Sequence, residues 1–130
     1  GSVGRPLIED VRFRDRIAQV EIDLIALERT NQRVLALEHA RGAPGFEASL
    51  LKIKGTEIQQ ELTELLMRAI GHDALAWQPE ALEDPVAQWH AGPVDGLGLT
   101  GRYLNFRKAS IYAGSNEIQR NIIARQLLGL

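Results

Sequence analysis

The sequence predicts an all-α bundle of three long helices plus a short one. Three observations lead there. Apolar residues recur at helical spacing over two long stretches, no stretch alternates apolar and polar residues as a half-buried strand would, and the C-terminal residues read as a capped helix. No internal repeat interrupts this pattern.

The first element runs from about Val11 to Arg41. Ile17, Val20, Leu24, Leu27, Val34 and Leu35 form its apolar stripe, Asn31 falls on the same side, and Glu21, Asp23, Glu28, Arg29, Arg33 and Glu38 read as a solvated outer face. Gly42-Ala43-Pro44-Gly45 ends it, because the residue before a proline is pushed out of the helical region. A second helix is expected from Phe46 to Ile70, antiparallel to the first. Leu51, Ile58, Leu62, Leu65, Leu66 and Ala69 lie on one side, with Lys52, Lys54, Glu57, Gln60, Glu61 and Glu64 largely on the other. Gly55 in its middle marks either a close helix crossing or plain tolerance, and Gly71 takes the C′ position. The stretch from His72 to Gly101 holds Pro79, Pro85, Pro93, Trp77 and Trp89. So long a connection is functional, packed by its tryptophans, or partly short-helical. A short helix from about Arg102 to Tyr112 follows, and Ala113-Gly114 interrupts it. In the last helix Ser115 is the N-cap, Glu117 sits in the first turn, Ile118, Ile122, Ile123 and Leu127 make a stripe, and Gly129 closes it.

Composition bounds the function. The 130 residues are 45% hydrophobic and 25% charged, enough for one modest core. Seventeen acidic against fifteen basic residues give a net charge of −2, so no bulk basic field exists to hold nucleic acid. No apolar run approaches the ~18 to 20 residues of a membrane span. The absence of cysteine excludes disulfides and thiolate chemistry and fits a cytoplasmic location. The chain opens on Gly1-Ser2, which reads as an expression scar on a piece of a larger protein.

His39, His72 and His90 are scattered without metal-ligand spacing, so no metal site is expected. Gly96-Leu97-Gly98-Leu99-Thr100-Gly101 is a glycine-rich turn that matches no phosphate-binding motif. One segment, Tyr112-Ala113-Gly114-Ser115-Asn116-Glu117, has the form of a ligand contact: a tight turn feeding a helix N-terminus offers unpaired amides to an anion such as a pyrophosphate. The same residues also describe an ordinary capped helix, and spacing leaves both readings open.

The run Ile111-Tyr112-Ala113-Gly114-Ser115-Asn116-Glu117-Ile118-Gln119-Arg120-Asn121-Ile122-Ile123-Ala124-Arg125, continued by Leu127-Leu128-Gly129-Leu130, strongly resembles the C-terminal signature of the acyl-CoA dehydrogenase family. Arg14 to Leu37 resembles the second helix of that family's C-terminal four-helix bundle, and Ala48-Ser49-Leu50-Leu51-Lys52 through Gly71 resembles the third. The resemblance implies that residues 1–130 are this bundle without its first helix, in a parent that also has an N-terminal helical and a middle β domain. The texture is closest to bacterial enzymes of fatty-acid and sterol side-chain breakdown. It further implies FAD as cofactor and removal of two hydrogens from an acyl-CoA, giving an α,β double bond, with electrons passed to an electron-transferring flavoprotein.

Carried over residue by residue, the signature's usual catalytic glutamate falls on Ala113, whose methyl group cannot accept a proton. Gly114 falls where the family backbone approaches the substrate thioester. Ser115, Asn116 and Glu117 fall where the family touches FAD. The family's glutamine-leucine-glycine-glycine contact to a neighbouring subunit's FAD falls on Arg68-Ala69-Ile70-Gly71-His72, where Gly71 alone matches, and Arg68 is either a phosphate partner or a helix-end arginine.

The resemblance thus leaves two readings: an enzyme whose base lies on the bundle's first helix, upstream, or a non-catalytic partner subunit of a heteromeric enzyme. A helical interaction module unrelated to the family is a third. The isolated chain is expected to be inactive, to bind FAD poorly, and to self-associate as a homo-oligomer or with a related subunit.

Overall fold

The computed structural model describes residues 5–42, 45–86 and 88–129. The Gly1-Ser2 opening, Ala43-Pro44 of the helix-breaking stretch and Leu130 of the signature lie outside the described residues. Among the described residues five α-helices follow in order: α1 (Val11–Arg41), α2 (Glu47–Ile70), α3 (Pro79–Glu83), α4 (Leu99–Phe106) and α5 (Asn116–Leu128). Short 3-10 turns stand at Leu7–Glu9, Gly71–Leu75, Val94–Gly96 and Arg107–Ser110, and there is no strand among the described residues.

Local chemistry sets the helix ends. Asp10 caps α1 by accepting from the N–H groups of Arg12 (2.9 Å) and Phe13 (3.3 Å), and Gly42, at φ 73°, supplies the left-handed residue that stops it. α1 and α2 form an antiparallel pair around Val20, Ile58 and Leu65, with Phe13, Ile17 and Leu27 packed against them. Arg16 of α1 pairs with Glu61 and, at 3.4 Å, with Glu64 of α2, which fixes the register of the pair. Its pKa is raised, first by the Glu61 hydrogen bond.

α2 is the hub, packing against α1, α4 and α5. The α1 stripe is narrower than its spacing suggests: Val20 and Val34 are buried, whereas Leu24 is 40% and Leu35 57% exposed. One helix partner covers only the middle of a wide stripe. At Gly55 an added Cβ would stand 3.9 Å from Leu27 Cδ2, an ordinary contact, so this glycine is tolerated and no close crossing requires it.

Two expectations are refined downstream. The helix expected over Arg102–Tyr112 begins earlier, after left-handed Gly98, and ends at Phe106. The carbonyls of Phe106 and Arg107 accept from Gln60 Nε2 of α2, and the chain tightens into a 3-10 turn there. The long connection is partly short-helical, and its tryptophans do not pack it: Trp77 and Trp89 are each 85% exposed. It is held by polar bonds. The Gln78 amide brackets Ala91, accepting from its N–H at 2.7 Å and donating to its carbonyl at 3.3 Å, and the Thr100 hydroxyl donates to Ala74 O.

Candidate functional site

The segment Ile111–Glu117 links the Arg107–Ser110 turn to α5, and its backbone is unusual. Ala113 has φ 54°, the one positive value at a non-glycine position among the described residues, and Gly114 follows at φ 84°. A left-handed alanine costs about 1–2 kcal/mol, and such positions persist only where their surroundings fix them. At Gly114 it is the positive φ that calls for glycine, since an added Cβ would meet only the movable end of the Gln119 side chain, at 2.7 Å from Nε2.

The chain then turns extended at Ser115, whose hydroxyl accepts from the Ile118 N–H at 3.4 Å and whose carbonyl accepts from Gln119 N–H at 3.0 Å. Ser115 is thus the cap that its spacing predicts. Glu117 is exposed in the first turn. Its carboxyl is held below the usual range, first by its own backbone N–H, then by the Ser115 hydroxyl, with smaller attractions from Arg120 and Lys52. These donors already serve a negatively charged oxygen. They are donors of the kind that a phosphate or ribose oxygen would use.

Asn116 behaves differently from its neighbours. It is 5% exposed, and its side chain points into the α2–α5 contact. Lys52 Nζ donates to its Oδ1 at 2.8 Å, Thr56 Oγ1 lies 3.4 Å from the same oxygen, and Asn116 Nδ2 lies 3.3 Å from Thr56 Oγ1. Beside Asn116, Arg120 bridges α5 to Glu57 of α2 at 3.4 Å and approaches Glu117 at 3.9 Å.

The structure brings Ala113, Gly114, Ser115, Asn116 and Glu117 together but sets Gly71 apart. Gly71 caps the far end of α2 at φ 71°, its N–H bonded to Arg68 O. It lies fifteen residues along the helix from Thr56, about 22 Å at the α-helical rise per residue. The Arg68 guanidinium is engaged by Glu64 at 2.7 Å. No group of three His, Cys, Asp or Glu able to hold a metal occurs among the described residues.

Sequence reasoning missed Lys52, Thr56 and Gln60. Lys52 and Gln60, expected on the outer polar side of α2, turn instead towards α5 and the 107–110 turn. The available signal was their four-residue spacing, which puts all three on one helical face.

The class is a helical-bundle domain whose last helix starts from a left-handed turn. The family model described as the acyl-CoA dehydrogenase C-terminal domain matches residues 2–128, and the chain belongs to that family. Comparison with curated proteins and with solved structures gives no match. Among the described residues no helix is long and apolar enough to cross a membrane.

Proposed function

We propose that this chain is the C-terminal bundle of an FAD-dependent acyl-CoA dehydrogenase that introduces an α,β double bond into an acyl-CoA thioester. The observation that carries the reading is the Ala113-Gly114 left-handed turn running into the Ser115-capped helix, within a chain of this family. Ser115 and the first amides of α5 hold phosphate or ribose oxygens of the cofactor. Asn116 fixes the helix that carries them, and Glu117 contributes its backbone N–H. Gly71, remote from this turn, meets the adenosine part of a flavin on a neighbouring subunit. Gly114 lets the thioester approach the backbone. When bound, FAD supplies the acceptor for the β-hydrogen.

Ala113 carries no proton-accepting group; in this reading the α-proton goes to a base upstream, on the bundle's first helix, as the resemblance to the family implies. Electrons leave to an electron-transferring flavoprotein, and the assembly is a cytoplasmic homo-oligomer. Purified full-length parent is expected to contain FAD and to convert an acyl-CoA into the enoyl-CoA, followed by mass spectrometry of the thioester. A parent with FAD bound but no enoyl product with short, long or steroid-type thioesters contradicts the enzyme reading.

The methyl group at position 113 also supports a second reading, a non-catalytic partner subunit. It predicts a parent that co-purifies with a homologous chain, has no carboxylate on its first bundle helix, and produces enoyl-CoA only in that complex.

A further inference from the structure

We infer that Lys52, Thr56 and Gln60 of α2 are positioning residues that clamp both ends of the left-handed turn between Ser110 and Asn116. The inference rests on the reading of that turn as the seat of cofactor and thioester.

Before the turn, Gln60 Nε2 donates to Phe106 O at 3.4 Å, Arg107 O at 3.2 Å and Ser110 Oγ at 3.2 Å. After it, Lys52 and Thr56 hold the buried Asn116 side chain. Ala113 and Gly114, both left-handed, lie between these two anchorages. Ala113, the strained residue of the two, keeps its conformation only if the flanking chain is over-determined. Here one rigid helix supplies both anchors from a single face.

Asn116 is too buried to exchange its bonds with α2 for bonds to water, so loss of either partner leaves an unsatisfied polar group inside. The chemical consequence is preorganisation. Gly114, the Ser115 hydroxyl and the first amides of α5 are fixed relative to one another before any ligand arrives, so the ordering cost falls on folding and not on binding.

The test is amide hydrogen exchange of the full chain, followed by FAD titration of the full-length parent carrying the same substitutions. Lys52→Met, Gln60→Leu and Thr56→Val each remove a donor while keeping similar shape. The amides of Tyr112, Ile118 and Gln119, which donate to Lys108 O, Ser115 Oγ and Ser115 O, are expected to exchange at least about tenfold faster relative to those of mid-α1. FAD affinity of the parent is expected to fall by at least about tenfold and to recover largely in Lys52→Arg. If Lys52→Met loses its helical circular dichroism, Thr56→Ser against Thr56→Val repeats the comparison with the hydroxyl kept or removed. Unchanged exchange at these amides overturns the inference, and so does faster exchange with wild-type FAD affinity. A wild-type parent that binds no FAD refutes the cofactor reading instead, and the exchange data still judge the clamp.

Discussion

At the start of α5, single atoms decide whether the turn holds. Ser115 satisfies the Ile118 N–H, so Ser115→Ala should cost about 1 kcal/mol, measured by chemical denaturation. The same substitution removes the second-largest cause of the low Glu117 pKa, and its titration midpoint should move back towards the ordinary range. The sign of the pH dependence follows. A carboxyl whose folded pKa is depressed stabilises the fold above its unfolded value of about 4.3, and that contribution is lost as pH falls through the folded value. A carbon-13 titration of Glu117 should therefore show a midpoint below about 4.3, and a midpoint above it contradicts the geometry. Ala113 tolerates φ 54°, but a β-branched side chain tolerates it less. Ala113→Val should destabilise by about 1–2 kcal/mol, and an unchanged denaturation midpoint would show that the turn relaxes.

At the scale of elements, Gly55 gives a clean test of how α2 meets α1. A methyl group there finds only an ordinary contact with Leu27, so Gly55→Ala should stabilise by about 1 kcal/mol, a rise of about 4 °C in Tm. A fall would mean a tighter crossing than this geometry allows. The same helix shows what was legible in the sequence and what was not. The long period-3.6 stripes, the Gly42 and Gly71 stops and the Ser115 cap locate α1, α2 and α5 to within a residue or two, because periodicity and caps are local properties. The role of Lys52, Thr56 and Gln60 was not legible. A lysine or glutamine on a helix reads as solvated until a distant segment, here Phe106–Asn116, is known to fold onto it. Asn116 shows the converse: a polar residue in a helix's first turn gives no local sign that it is buried against another helix. The 72–101 connection was ambiguous for the same reason. Its order comes from Gln78 and Thr100 bonding across more than ten residues, and its tryptophans remain outside.

Across the whole molecule, apolar surface is left uncovered. Ile22 and Ile25 of α1 are 59% and 58% exposed on the side away from buried Val20. Such a stripe favours association, so light scattering of the chain at high concentration should give a mass above the monomer, and Ile22→Glu with Ile25→Glu should reduce it. A strictly monomeric wild type would contradict this. For a bundle of this family with a methyl group at position 113, the proposed function is that its parent oxidises an acyl-CoA with a base from elsewhere. The most direct test is the visible spectrum of the full-length parent under anaerobic titration with short, long and steroid-type acyl-CoA thioesters. Under this reading the protein is yellow and its flavin absorbance is bleached by one of these classes. A colourless protein, or a yellow one that none of them bleaches, would contradict it.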